Sequence, residues 1–309
     1  VQSVVEPRNL AEMEQLIRSR VAAILDGLPV GETFNWVDEV SINLTTQMLA
    51  TLFDYPFERR SQLTHWSDVA TSGPGLTGGN VLDPDYWQAE MLDCLETFTR
   101  LWHERKNDGG QSMDLIRLLQ NNPDTADMVD EPMEYLGNIL LLIVGGNDTT
   151  RNSITAGVMA LNENPTEYDK LRADPGLIPS TVSETIRWQT PLMHMRRTAA
   201  RDVEFQGKQI RKGDKVVMWY LSGNRDDSVI NDADSFIIDR ENPRDHISFG
   251  FGVHRCMGNR LAEMQLRILW EEIMARFAKV EVVGPAERVQ SNFVRGFTHL
   301  PVVLHPLQG

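Results

Sequence analysis

The chain has 309 residues, 41% hydrophobic and 24% charged, with 22 glycines and 15 prolines scattered along it; this composition gives a globular protein with an ample core and excludes collagen-like, coiled-coil and disordered chains. Thirty lysines and arginines against 44 aspartates and glutamates leave a net charge of −14, which repels a phosphate backbone, so nucleic acid is not an expected partner. Two cysteines, Cys94 and Cys256, exclude a disulfide framework and suit a reducing, cytoplasmic compartment, and the longest apolar run, Ile139 to Val144, is far short of the roughly 20 residues that span a bilayer.

The first residue is Val, no signal peptide follows it, and the chain reads as starting inside a longer one. Leu10, Met13, Leu16, Ile17, Val21, Ile24 and Leu25 recur every three or four residues and stop at Gly27 and Pro29, which predicts a first amphipathic helix. The same spacing returns in Val37, Val40, Leu44, Met48 and Leu52, and again in Trp87, Met91, Leu95, Phe98 and Trp102. Cys94 lies on that third apolar face and is expected to be a buried, structural thiol. Ser72 to Asp83 carries Gly73, Pro74, Gly75, Gly78 and Gly79, a breaker-rich loop of the kind that covers pockets or merely connects helices. A long helix is predicted over Glu131–Asn162, with Pro132 in its first turn and Pro165 beyond its end. Inside it, Gly145 and Gly146 predict a kink or a close approach. A helix over Ser180–Trp188, short strands around Val203–Phe205 and Val216–Trp219, and a last helix over Cys256–Phe277 complete the reading.

The most informative stretch is Phe249-Gly250-Phe251-Gly252-Val253-His254-Arg255-Cys256-Met257-Gly258. Three glycines around one cysteine permit a tight loop with amides turned inward. A cysteine entering a helix N-terminus beside His254 and Arg255 is expected to favour the thiolate, a good metal ligand. Read without that context, it is a buried cysteine in a glycine-rich turn. Glu184 and Arg187 are spaced i, i+3, which alone is a routine surface ion pair. No third glycine, strand and acidic partner surround Gly250-x-Gly252, so no dinucleotide fingerprint is present.

The loop resembles the haem-binding signature of the cytochrome P450 family, Phe-x-x-Gly-x-x-x-Cys-x-Gly, at Phe249, Gly252, Cys256 and Gly258. Glu184-Thr185-Ile186-Arg187 resembles the family's Glu-x-x-Arg motif, with Phe236 and Arg240 matching the segment that completes a charge lock of Glu184, Arg187 and Arg240. Gly145-Gly146-Asn147-Asp148-Thr149 resembles its oxygen-activating motif. The resemblance implies a mainly α fold with small β-sheets, a single haem-thiolate monooxygenase domain over 1–309 that is incomplete at its N-terminus, and haem b as cofactor. It implies Cys256 as the iron ligand, Phe249, Gly250, Gly252 and Gly258 shaping its loop, Arg197 and His254 at the haem propionates, and Asp148 and Thr149 delivering protons.

With no flavin or nicotinamide signature, electrons are expected from a ferredoxin and its reductase, docking on a basic cluster of Arg255, Arg260 and Arg267, and O2 is the co-substrate. The resemblance is strongest to the bacterial alkane-hydroxylating branch. Substrate-contacting residues are then expected at Leu141, Val144 and Gly145, sharing a helix face with Asp148, at Leu192, Met193 and Met195 beside His194, and at Phe297. The implied reaction is terminal hydroxylation of medium-chain n-alkanes to 1-alkanols. Fatty-acid or terpene hydroxylation, a peroxide-driven enzyme, a haem sensor and a haem-free, non-catalytic fragment are the alternatives.

Overall fold

A computed structural model describes residues 7–73, 82–107 and 114–307. Most of the glycine-rich loop expected over 72–83, and the side chain of Leu10, lie outside the described residues. In chain order the elements are α1 (Pro7–Asp26), β1 (Phe34–Asn35), a π-helical turn (Val37–Ile42) running into α2 (Asn43–Phe53), α3 (Ser61–Thr71), α4 (Pro84–Asn107), α5 (Leu115–Asn121), α6 (Pro132–Glu163), α7 (Pro165–Ala173) and α8 (Ile178–Gln189). There follow β2 (His194–Thr198), β3 (Val203–Phe205), β4 (Lys208–Ile210), β5 (Lys215–Trp219), α9 (Tyr220–Gly223), α10 (Asn259–Arg276), β6 (Phe277–Val282), β7 (Glu287–Arg288), β8 (Phe297–His299) and β9 (Pro301–Pro306). The molecule is mainly helical, and its strands form small antiparallel sheets: β1-β9-β6, β2-β5, β3-β4 and β7-β8.

The long helix α6 joins two apolar cores. Its first half, through Tyr135, Ile139 and Ile143, packs with Phe53, Trp66, Cys94, Phe98 and Trp102 of α2, α3 and α4. Its second half, through Ile154, Val158 and Leu161, packs with α1, α8, α10 and the β6–β9 strands. Cys94 is buried in the first core, and burial drives its thiol well above the ordinary range. The paired glycines leave α6 helical throughout. They realise the close approach instead: a Cβ on Gly146 would stand 2.9 Å from Leu49 Cδ2 of α2, whereas one on Gly145 would meet nothing within 4 Å.

Candidate active site

The cysteine loop is shaped by its backbone. Gly250 (φ 68°) and Gly252 (φ 77°) take left-handed conformations that a side chain would strain. The Cys256 N–H donates to the Phe249 carbonyl at 2.8 Å, and the Arg255 N–H to Gly252 at 3.0 Å, closing the loop. Helix α10 begins at Asn259, so Cys256 lies three residues before it. Desolvation by the enclosing loop raises the Cys256 thiol, although the residue keeps an exposed side, and the Gly258 amide, the Arg255 charge and the Asn259 amide pull it down. The two amides and the Arg255 charge are the groups placed to favour a thiolate at Cys256.

The same loop turns apolar surface outward. Phe251 is 91% and Val253 95% exposed, and Cys256 and His254 are exposed beside them. Apolar side chains so presented, with a thiol and cations that have no carboxylate partner among the described residues, are the donor set for a flat apolar disc bearing two acidic groups. Among the described residues, neither His254 nor Arg197 forms an ion pair; Arg197 donates only to the Arg196 carbonyl, at 3.0 Å. Haem fits these residues, with Cys256 as the iron ligand and Arg197 and His254 able to give charge-assisted bonds to propionates.

The loop is held from behind. Ser248, just ahead of it, donates to the Ile186 carbonyl of α8 at 2.9 Å and accepts from Asn224 at 2.8 Å. His246 packs against Phe249 in a tilted arrangement with centroids 5.4 Å apart, and burial lowers its pKa to about 4. Glu184 and Arg187 are fully buried, contrary to the surface pair their spacing suggests; Arg240 joins them at 3.0 Å from Glu184. Arg187 also donates to the carbonyls of Asn224, Ala233 and Ser235.

On α6, Asp148 and Thr149 part company. Thr149 is half-buried and donates to the Gly145 carbonyl at 2.9 Å. Asp148 is 0% exposed and turned to α3, where Ser67 Oγ donates to it at 2.7 Å. The expected single face of Leu141, Val144, Gly145 and Asp148 thus splits: Leu141 is 64% exposed and Gly145 is open, while the acid is packed away. The open stripe runs instead through Met133, Gly137, Leu141, Gly145 and Thr149, four residues apart, with exposed Glu134 beside its first turn and no ionisable side chain among Gly137, Leu141, Gly145 and Thr149. Met133 and Gly137 extend the expected set and were legible from the same spacing.

Of the remaining substrate residues, Leu192 bridges to Val294, Met193 donates its N–H to the Phe293 carbonyl at 3.0 Å, and Met195 pairs with Met218. Met195 and Arg197 share one face of β2, and His194 packs on the other against Trp219 and Phe293. Phe297 is a correction. It is 2% exposed in the core with Arg288 over its ring at 4.2 Å, so it walls no open space. Half-buried Phe293 is the aromatic that reaches the 192–195 segment. Arg267 is a second correction, since it is spent on Glu14 at 2.8 Å and Glu271 at 2.7 Å; Arg255 and Arg260 form no ion pair among the described residues.

Comparison with known proteins adds to this geometry. The model of the family described as cytochrome P450 matches residues 176–297. Over 315 residues the chain is 36% identical to linalool 8-monooxygenase of Pseudomonas putida, covering 99% of this chain and 74% of that protein. Among solved structures it is similar to cytochrome P450-153 from Novosphingobium aromaticivorans, at 45% identity and a TM-score of 0.88 over 98% of this chain and 73% of that one. CYP153D17 from Sphingomonas sp. PAMC 26605 follows at 43% identity and 0.85, covering 98% and 75%.

Proposed function

The chain belongs to the cytochrome P450 family, whose members are haem b monooxygenases, and on that premise we propose that it hydroxylates the terminal carbon of medium-chain n-alkanes, giving 1-alkanols. The observation that carries this reading is the uncharged stretch of α6 from Gly137 through Leu141 and Gly145 to Thr149, beyond Glu134 in the first turn, whose two glycines keep it low. A strip without a charge from Gly137 to Thr149, and open at its glycines, suits an extended apolar chain and offers no ionic partner to a charged one. Half-buried Met193 and Met195 add flexible apolar surface.

When bound, haem supplies oxygen activation, with Cys256 as its thiolate ligand. The chain's own residues bind, orient and move protons. Arg197 and His254 anchor the two acidic groups, and the apolar loop excludes water. Thr149 offers a hydroxyl at the open side of α6, and Asp148 is the acid that replenishes its proton. Electrons come from a ferredoxin and its reductase, with exposed Arg255 and Arg260 as the local basic surface in an otherwise acidic protein. A terpene alcohol is the second reading, favoured by the similarity to linalool 8-monooxygenase. Turnover of n-octane with a ferredoxin and reductase tests the proposal. Predominant 1-octanol supports it; mainly 2- and 3-octanol, or a haem spin-state response to bulky rings but not to octane, contradicts it.

A further inference from the structure

The buried acid Asp148 is bound from a neighbouring helix rather than from its own neighbour Thr149. Ser67 on α3 donates to its Oδ2 at 2.7 Å. Arg151, one turn along α6 and equally buried, contacts its Oδ1 and reaches across to Asp68 of α3 at 2.5 Å. One guanidinium therefore serves two carboxylates. Asp148 has no exposure, while the Asp68 side chain is 51% exposed. In a medium of low dielectric two negative charges cannot both be fully compensated by one positive charge, and the cost falls on the carboxylate without water. The groups acting on the Asp148 carboxyl agree with this count: burial raises it most, Arg151 and Ser67 lower it, and Asp68 raises it. Helix α2, packed on the same stretch of α6, presents the uncharged Thr45 to Asn147 at 2.8 Å, and Asn152 donates only to the Asp148 backbone carbonyl.

We propose that Ser67, Asp68 and Arg151 are positioning residues for the proton donor Asp148, so that α3 holds the acid and Asp68, from its half-exposed site, sets how readily Asp148 keeps its proton. The proposal rests on the reading of Asp148 as that donor. It makes α3 part of the proton machinery: any shift of α3 relative to α6 changes what Asp148 is bonded to before it changes anything at the haem ligand.

The test uses the haem-loaded protein and two readouts. Infrared absorption of the protonated carboxyl, assigned as the band lost in Asp148→Asn, is titrated with pH; the pH dependence of product formed per electron consumed is measured beside it. Asp68→Asn leaves Arg151 to Asp148 alone, so both midpoints are expected to move down, by on the order of one pH unit. Ser67→Ala removes a bond to the charged form and moves both up. Asp68→Glu restores the original midpoint. Unchanged midpoints in both Asp68→Asn and Ser67→Ala, or no band lost in Asp148→Asn, overturn the proposal. If Asp148→Asn does not alter coupling, the donor reading itself fails and takes the proposal with it; if it lowers coupling while the α3 variants move neither midpoint, only the α3 proposal fails.

Discussion

The Arg187 guanidinium grips both oxygens of Glu184, Nε at 2.7 Å and Nη2 at 2.8 Å, with both side chains buried. Arg240 adds a second cation at 3.0 Å, and the Ile237 N–H a further bond at 2.8 Å. Glu184 is thus a buried acceptor shared by α8 and the 224–240 segment, and Ser248 and Asn224 link that segment to the cysteine loop.

Glu184→Ala is expected to destabilise the protein by about 3–5 kcal/mol, because it leaves two cations facing each other without their buried acceptor. Denaturant unfolding measures this. A loss below about 1 kcal/mol would mean that the pair behaves as an exposed one.

His246 makes stability depend on pH. Its pKa is lowered, by burial first and by Arg187, Arg244 and Arg255 after that, to about 4 from 6.5. The unfolded chain then binds more protons than the folded one between those values, so the stability held above pH 6.5 is lost as pH falls toward 4, by at most roughly 3 kcal/mol. In His246→Gln the unfolding free energy should lose that slope between pH 4 and 6.5. An identical slope in both proteins contradicts the assignment.

The adjacent glycines of α6 should respond with opposite signs. Gly145→Ala meets open space and gains helix propensity, up to about 1 kcal/mol, while its methyl intrudes on the uncharged stripe and lowers octane turnover. Gly146→Ala gains the same propensity but presses Leu49 at 2.9 Å, an overpacking cost of about 1–3 kcal/mol, so it should be net destabilising. Melting temperatures that move together would remove the distinction.

Local sequence carried the helices and the loop well, because apolar periodicity and glycine spacing are local properties. Cys256 with Phe249, Gly252 and Gly258, and the Glu184–Arg187 pair, were visible for that reason. The partners of Asp148 were not: nothing near residue 148 points to Ser67 or Asp68, eighty residues earlier, and the spacing that placed Asp148 on the open face could not weigh the pull of Arg151. Phe297 failed for a related reason, since a strand's alternation does not say which face meets the core, and Phe293 lies in an irregular stretch with no period to read. Helix α3 itself was passed over, its apolar positions Leu63, Trp66 and Val69 being interspersed with polar residues.

The most direct test of the account is absorbance of the reduced, CO-bound, haem-loaded protein in Cys256→Ser and Cys94→Ser. Cys94, sealed in the apolar core, should be replaceable with some loss of stability and no change of spectrum. Cys256→Ser should abolish the red-shifted Soret band of thiolate ligation while the chain stays folded. Retention of that band in Cys256→Ser, or its loss in Cys94→Ser, would contradict the assignment of Cys256 as the haem ligand.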